Sequence, residues 1–209
     1  MNMSKKDELE QTYSYLVKSH LYDSMDTKER VVNRCTPSII LAAKIIAKAF
    51  SMGNKVLLCG NGGSAADCQH IAAEFVNLLT LKNERPALPA IALTTDTSIL
   101  TAAANDFGYD KVFVRPIQAL GKPGDVLIGI TTSGNSVNVL SACAAARLHK
   151  MKTLVLTGSD GKCYSDESVD VIIGVPSEKT QHIQEAHITI GHILCELVET
   201  MLYPLKETK

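Results

Sequence analysis

The rhythm of apolar positions changes at residue 56. Before it, Ile39, Ile40, Ala43, Ile46 and Ala47 recur at the three-to-four spacing of a helix with one buried face, and the segment predicts a pair of helices over 6–22 and 28–52. After it, short continuous apolar runs alternate with longer amphipathic stretches. The runs are VLLC (56–59), PAIAL (89–93), DVLIGI (125–130), TLVLT (153–157) and DVIIGV (170–175), and helices are predicted around 64–80, 97–104, 110–120, 136–149 and 179–202. Strands that are apolar on both faces and spaced by crossover-length helices indicate a parallel sheet covered on two sides. The expected fold is α/β: a three-layer, doubly wound, parallel five-stranded sheet. Residues 1–53 form an N-terminal helical extension and 54–209 the core, together one domain. In such sheets ligands bind beyond the carboxyl ends of the strands, which directs attention to the loops that lead into helices.

Composition narrows the classes of function. A chain of 209 residues with 45% hydrophobic content can bury one substantial core. A net charge of -1, with Lys5-Lys6 as its longest basic cluster, supplies no field for nucleic-acid binding, so nucleic acid is not an expected partner. The N-terminus MNMSKKDELEQ is polar where a secretory signal needs an apolar stretch, and no apolar run reaches the roughly 18 residues of a membrane span. A cytoplasmic location with no membrane partner is expected. The six cysteines (Cys35, Cys59, Cys68, Cys143, Cys163 and Cys195) show no C-x-x-C spacing and read as reduced, mostly buried thiols. KNERP (82–86) and SDGKCYSDES (159–168) read as ordinary loops.

Three stretches carry candidate chemistry. Gly60-Asn61-Gly62-Gly63-Ser64 follows the first strand and opens a helix, so backbone N–H groups can approach a ligand with the helix dipole behind it. It lacks the Lys-Ser/Thr ending of a Walker loop and the spacing of a dinucleotide fingerprint, which favours a smaller polar ligand. On the following helix His70 and Glu74, four apart, share one face in nearly apolar surroundings, where a carboxylate is costly unless paired or used. The second stretch, GITTSGNSVNVL (129–140), puts Thr131, Thr132, Ser133 and Ser136 in a turn before a helix. Four hydroxyls exceed what helix capping requires and suit a phosphate held without lysine, although Ser136 or Asn135 could be a plain cap. In the third, EKTQHIQEAHITIGHILCELVE (178–199), Gln184, Ile188 and His192 recur every four residues and can face one cleft. His182, Glu185 and His187 fall on other faces and are expected to meet solvent or a subunit interface. His192 with His70 and Glu74 would form a mixed nitrogen and oxygen constellation suited to a divalent metal or to acid/base work.

The segments CGNGGSAADCQHIAAEF, RPALPAIALTTDTSILTAAANDFGYDKVF, GDVLIGITTSGNSVNVL, RLHKMKTLVLTGSDG and IQEAHITIGHILCELVE resemble, in this order, the sugar isomerase (SIS) domain family, and within it the bacterial phosphoheptose isomerases. The resemblance implies isomerisation of sedoheptulose 7-phosphate to D-glycero-D-manno-heptose 7-phosphate for lipopolysaccharide or capsule synthesis. It implies substrate contacts from Asn61, Gly62, Gly63, Asn105 and Asp106, with Glu74 and Gln184 reaching the substrate as well. Thr131, Thr132, Ser133 and Ser136 would bind the phosphate. A zinc ion, one per subunit, would be held by His70, Glu74, Gln184 and His192, with Glu74 and His192 as acid/base residues, in a homotetramer whose sites lie at subunit interfaces. Similar chains include a non-catalytic SIS protein that binds the replication initiator DnaA, but that relative lacks the acid/base residues at the positions of Glu74 and His192. Sugar-phosphate-sensing SIS modules and isomerases of other sugar phosphates are the remaining alternatives.

Overall fold

A computed structural model describes residues 5–80, 84–158 and 169–204. Its centre is an all-parallel sheet of β1 (Val56–Gly60), β2 (Ala90–Ala92), β3 (Val126–Ile130), β4 (Lys152–Gly158) and β5 (Val171–Val175), in the order β2-β1-β3-β4-β5. The helices are α1 (Lys5–Ser51), α2 (Gly63–Val76), α3 (Thr97–Phe107), α4 (Val114–Leu120), α5 (Val137–Leu148) and α6 (Thr180–Leu202), with a short 3-10 turn at Tyr109–Lys111. The five expected strands are all present, and they read as apolar runs because both faces are covered. On one face Val56, Leu58, Ile128, Leu156 and Ile173 pack against α1, α2 and α6. On the other, Leu57, Cys59, Leu127 and Val155 meet the side that carries α4 and α5. Each fully buried large apolar side chain contributes about 1.5–3 kcal/mol, and β1 and β3 are buried throughout.

The chain runs from β1 to β2 in one direction across the sheet and from β3 to β4 in the other. The loops after β1 and β3 therefore diverge, leaving a crevice between adjacent strands, where doubly wound sheets place their ligands. At the opposite ends of these strands the buried Asp125 accepts from the Lys55 and Lys122 backbone N–H groups, at 3.0 and 2.8 Å, and pairs with the Lys55 ammonium. The two strands are thus pinned together below the crevice.

Four expected boundaries differ: α3 runs on to Phe107, the helix expected from 110 opens as the 3-10 turn with α4 starting at Val114, and the other two have tertiary causes. The N-terminal pair of helices is one continuous helix of 47 residues. The polar stretch at 23–27 reads as a break, but its side chains serve tertiary contacts: Ser24 and Thr27 are buried, and Asp23 pairs with Lys179 at the start of α6. Thr27 Oγ1 donates to the Asp23 carbonyl within the helix, at 2.9 Å. Helix α2 stops at Val76, short of residue 80, because Arg85 donates to the carbonyls of Glu74 and Phe75 at 2.9 Å each and takes over the end of its last turn. Of the loops read from sequence, 84–86 is irregular chain, whereas 82–83 and 159–168, with Cys163, lie outside the described residues. The other five cysteines are buried and unpaired, and burial pushes the thiols of Cys143 and Cys195 up to about 12. Such thiols are not nucleophiles at neutral pH.

Candidate active site

Both arms of the crevice have the same plan: strand, sharp turn, helix without a side-chain cap. Helix α2 begins after Gly62, which has φ +54°, a conformation that favours glycine. A Cβ on the next residue, Gly63, would lie 2.5 Å from Gln184 Nε2, so the bare loop is what lets the amide of α6 reach the start of α2. Further along, the site of Gly191 on α6 packs against Ile71 on α2. The contacts 63 to 184 and 71 to 191 advance together, so α2 and α6 run parallel with their side chains in step.

That register brings the ligand-type residues together. His70 Nε2 lies 3.3 Å from Glu74 Oε1 and 3.3 Å from His192 Nε2, with the two rings edge to face at a centroid distance of 4.9 Å. One ligand atom from each of the three residues lies within 4.8 Å of the others. Glu74 is mostly covered and His70 about half exposed, so the group sits at a surface that solvent and ligand can reach. Two imidazoles and a carboxylate with an open side match the donor set of a catalytic zinc, so His70, Glu74 and His192 fit a divalent ion. Gln184, the fourth expected ligand, is eight residues before His192 on the same helix, about 12 Å along its axis, with its amide against Gly63.

The second arm is built from hydroxyls. Ser136 occupies the N-cap position of α5 but makes no cap bond; its Oγ instead meets Thr131 Oγ1 at 2.9 Å. Ser133 Oγ accepts from the Asn135 N–H at 3.2 Å, and the Thr132 carbonyl accepts from the Gly158 N–H at 3.2 Å. A cavity of about 240 Å³ opens here, lined by Thr132, Ser133, Gly158, Ser177, Glu178, Thr180 and Ile183. The first N–H groups of α5 lack an intrahelical partner and would favour an anion.

The arms are joined by a pair not visible as a motif. Asn61 and Asn138 exchange reciprocal amide hydrogen bonds of 2.9 and 2.8 Å across the crevice, and the Tyr109 hydroxyl donates to Asn61 Oδ1 at 3.1 Å. Asn138 is buried and reads in the sequence as one more helix residue. Asn105 and Asp106 are exposed at the end of α3, bonded to each other at 2.7 Å, just before the turn that carries Tyr109.

Arg85 is a further residue the sequence reading passed over, inside KNERP. It is wholly buried, its Nε 2.8 Å and Nη2 2.7 Å from Glu199 Oε1, while it also closes the end of α2. It therefore ties the helix of Glu74 to the helix of His192. The available signal was Glu199, a carboxylate on the apolar face of LCELVE. Asp67, one turn before His70, has a buried Oδ2 with no hydrogen-bond partner, and burial raises its carboxyl despite the neighbouring His70. The expected solvent or interface setting of His182 and His187 is corrected: both are buried. His187 Nε2 meets the Thr157 carbonyl at 3.1 Å, and burial brings its ring down to about 4, so it is neutral at physiological pH.

Comparisons with known proteins agree with this geometry. The SIS domain family model matches residues 20–158. The phosphoheptose isomerase of Roseiflexus sp. (strain RS-1) is 53% identical over 180 residues, covering 86% of this chain and 90% of the relative. That of Chlorobaculum tepidum is 51% identical over 191 residues, 91% of each chain. Among solved structures, phosphoheptose isomerase GmhA from Neisseria gonorrhoeae superposes with a TM-score of 0.83 at 40% identity, over 90% of this chain and 99% of its own. The Francisella tularensis phosphoheptose isomerase does so with 0.80 at 35%, over 95% and 100%. With the fold, the two-armed crevice and these relatives in agreement, the chain belongs to the SIS domain family, among its phosphoheptose isomerases.

Proposed function

We propose that the chain interconverts sedoheptulose 7-phosphate and the corresponding aldoheptose 7-phosphate, supplying heptose for bacterial surface polysaccharide from the cytoplasm. The observation that carries this reading is the order of features along α6. Thr180 and Ile183 border the hydroxyl-lined cavity, Gln184 meets the bare loop, and His192 meets His70. From Ile183 to His192 the helix rises about 13 Å, a span that suits a long sugar chain with its phosphate at one end and its reacting carbons at the other.

In that pose Thr131, Thr132, Ser133 and Ser136 hold the phosphate, the uncapped start of α5 adds backbone donors, and Asn61, Gly62, Gly63, Gln184, Asn105 and Asp106 flank the sugar. Glu74 removes a proton from C1 of the ketose, giving an enediolate, and, once its carboxyl has exchanged with solvent, delivers a proton to C2. His192 moves a proton from the oxygen on C1 to the oxygen on C2, so the product differs only in where its carbonyl lies. His70 orients both groups through its contacts with them. Zinc is the proposed metal, one per subunit, which His70, Glu74 and His192 would hold, with Gln184 joining them if its amide turns away from Gly63, and when bound it would supply Lewis-acid stabilisation of negative charge on the two oxygens. A carboxylate bound firmly to a metal is a weaker base, so Glu74 would act as the base only while it is not a firm ligand.

A homotetramer with sites at subunit interfaces belongs to the same proposal. Leu9, Tyr13, Leu16, Val17 and Leu21 are all more than half exposed at three-to-four spacing on α1, an apolar stripe suited to packing against copies of the chain. The deciding experiment follows sedoheptulose 7-phosphate in D2O by NMR. Deuterium at C2 of the aldose formed by the wild type, and none formed by Glu74→Gln, is the expected result. Near-full turnover by Glu74→Gln would remove the mechanism, and DnaA capture without turnover would favour the binding-protein alternative.

A further inference from the structure

The geometry points to a second divalent-metal site, separate from the active site, on the seam between α1 and α6. Its ligands are His20, His182 and Glu185. His182 and Glu185 stand three apart on one face of α6, the spacing by which helical bundles present a histidine and a carboxylate to one ion. His20 reaches them from α1. His20 Nε2 lies 3.0 Å from Glu185 Oε1, His182 Nδ1 lies 3.2 Å from Glu185 Oε2, and the ring centroids are 4.5 Å apart. One ligand atom from each residue falls within 4.8 Å of the others, as in the active-site group.

Hydrogen bonds from two neutral imidazoles to a carboxylate also account for these distances. A metal would take the lone pairs of His20 Nε2 and His182 Nδ1, each ring keeping its proton on the other nitrogen, and two nitrogens with one carboxylate oxygen suit Zn²⁺ or Co²⁺. Two features favour the site over an accidental surface cluster. His182 is 2% exposed, so its ring is fixed by packing. A cavity of about 450 Å³ opens beside it, with Asp23, Asp26 and Glu178 on its wall. Arg30, Arg34 and Lys179 share that wall and balance the three carboxylates, Lys179 and Arg30 by pairing with Asp23 and Asp26. The cavity gives an ion a route to the His182 ring.

The site lies where α1 leaves the core: residues 5–18 are exposed, while Ser24 and Thr27 are buried. Ligation there would join α1 to α6 and fix the direction in which the exposed stripe of α1 projects. Glu185 and His192 are seven residues apart, about 10 Å along α6, so the two groups share a helix without sharing a ligand.

The test is Co²⁺ titration of the full chain after chelator treatment, read by visible d–d absorption and equilibrium dialysis. A His70→Ala/His192→Ala double variant is expected to bind one Co²⁺ per chain. Adding His20→Ala, at an exposed position chosen to spare the fold, should weaken that binding by roughly tenfold or more, since loss of even an outer partner costs 10–100-fold. No Co²⁺ bound by the double variant, or binding indifferent to His20→Ala, overturns the proposal. His20→Ala alone retains the active-site residues, so its isomerase activity reports on the proposed function independently.

Discussion

The two arms of the crevice share a backbone plan and divide the work differently. After β1 the loop is stripped to glycine, and its chemistry is displaced about two to three turns into the body of α2, at His70 and Glu74. After β3 the loop itself carries the functional groups, and the buried face of α5 is an apolar packing surface apart from Asn138. The difference follows from what each arm must hold. A phosphate needs donors at a helix start, whereas proton transfer needs a base whose position is set to a fraction of an ångström. Only α2 has its far end clamped: Arg85 occupies the carbonyls of Glu74 and Phe75 and pairs with Glu199, while α5 ends at His149 on backbone bonds.

The largest effect expected is on the chemical arm. Glu74→Gln keeps the shape and removes the base, and turnover should fall by about 10²–10⁴-fold with little change in KM, measured by the NMR assay. A large rise in KM instead would place Glu74 with the binding arm.

Arg85→Met tests the clamp. It strands Glu199 in the core and should cost about 3–5 kcal/mol of stability in urea unfolding. Arg85→Lys keeps the charge but not the fork. It should lower kcat more than it raises KM, because Glu74 and His192 lose their fixed separation. Equal effects on both would mean the clamp serves stability alone.

The pH dependence of stability probes the floor under the second arm. His187, against Thr157 at the end of β4, is held neutral down to about 4, whereas an unfolded histidine takes up its proton near 6.5. The unfolded state binds the extra proton first, so this contribution is full above pH 6.5 and is lost as pH falls toward 4. The loss should reach about 2 kcal/mol by pH 5. His187→Asn should flatten that part of the profile in urea titrations at pH 7 and 5.

The smallest effect is expected from Ser136→Ala, which removes one of four hydroxyls. KM should rise about tenfold with kcat unchanged, the signature of lost uniform binding. A fall in kcat instead would show that the phosphate arm also positions the reacting end.

The strands were legible because a parallel sheet leaves no polar face to blur the runs. His70 and Glu74 were legible because four-residue spacing is local information. What the sequence did not show was made by distant partners. Arg85 is one cation in a polar loop until Glu199, 114 residues later, is brought beside it. Asn138 looks like any helix residue until Asn61 faces it across the crevice. The misplaced break at 23–27 has the same origin, since Asp23 and Ser24 look like turn residues until α6 packs on them. His182 and His187 were assigned outward because a histidine's burial depends on a partner, here Glu185 and the Thr157 carbonyl.

The strand order also sets when the site can exist during folding. Val56 pairs with Val126, so the crevice between β1 and β3 closes a loop of 70 residues before either arm faces the other. Helix α6, which bears His192, is supplied from later still in the chain. Contacts so distant in sequence are costly to close and form slowly. No fragment lacking the C-terminal third can assemble the acid/base group, and regain of activity on refolding should keep pace with the slowest structural phase.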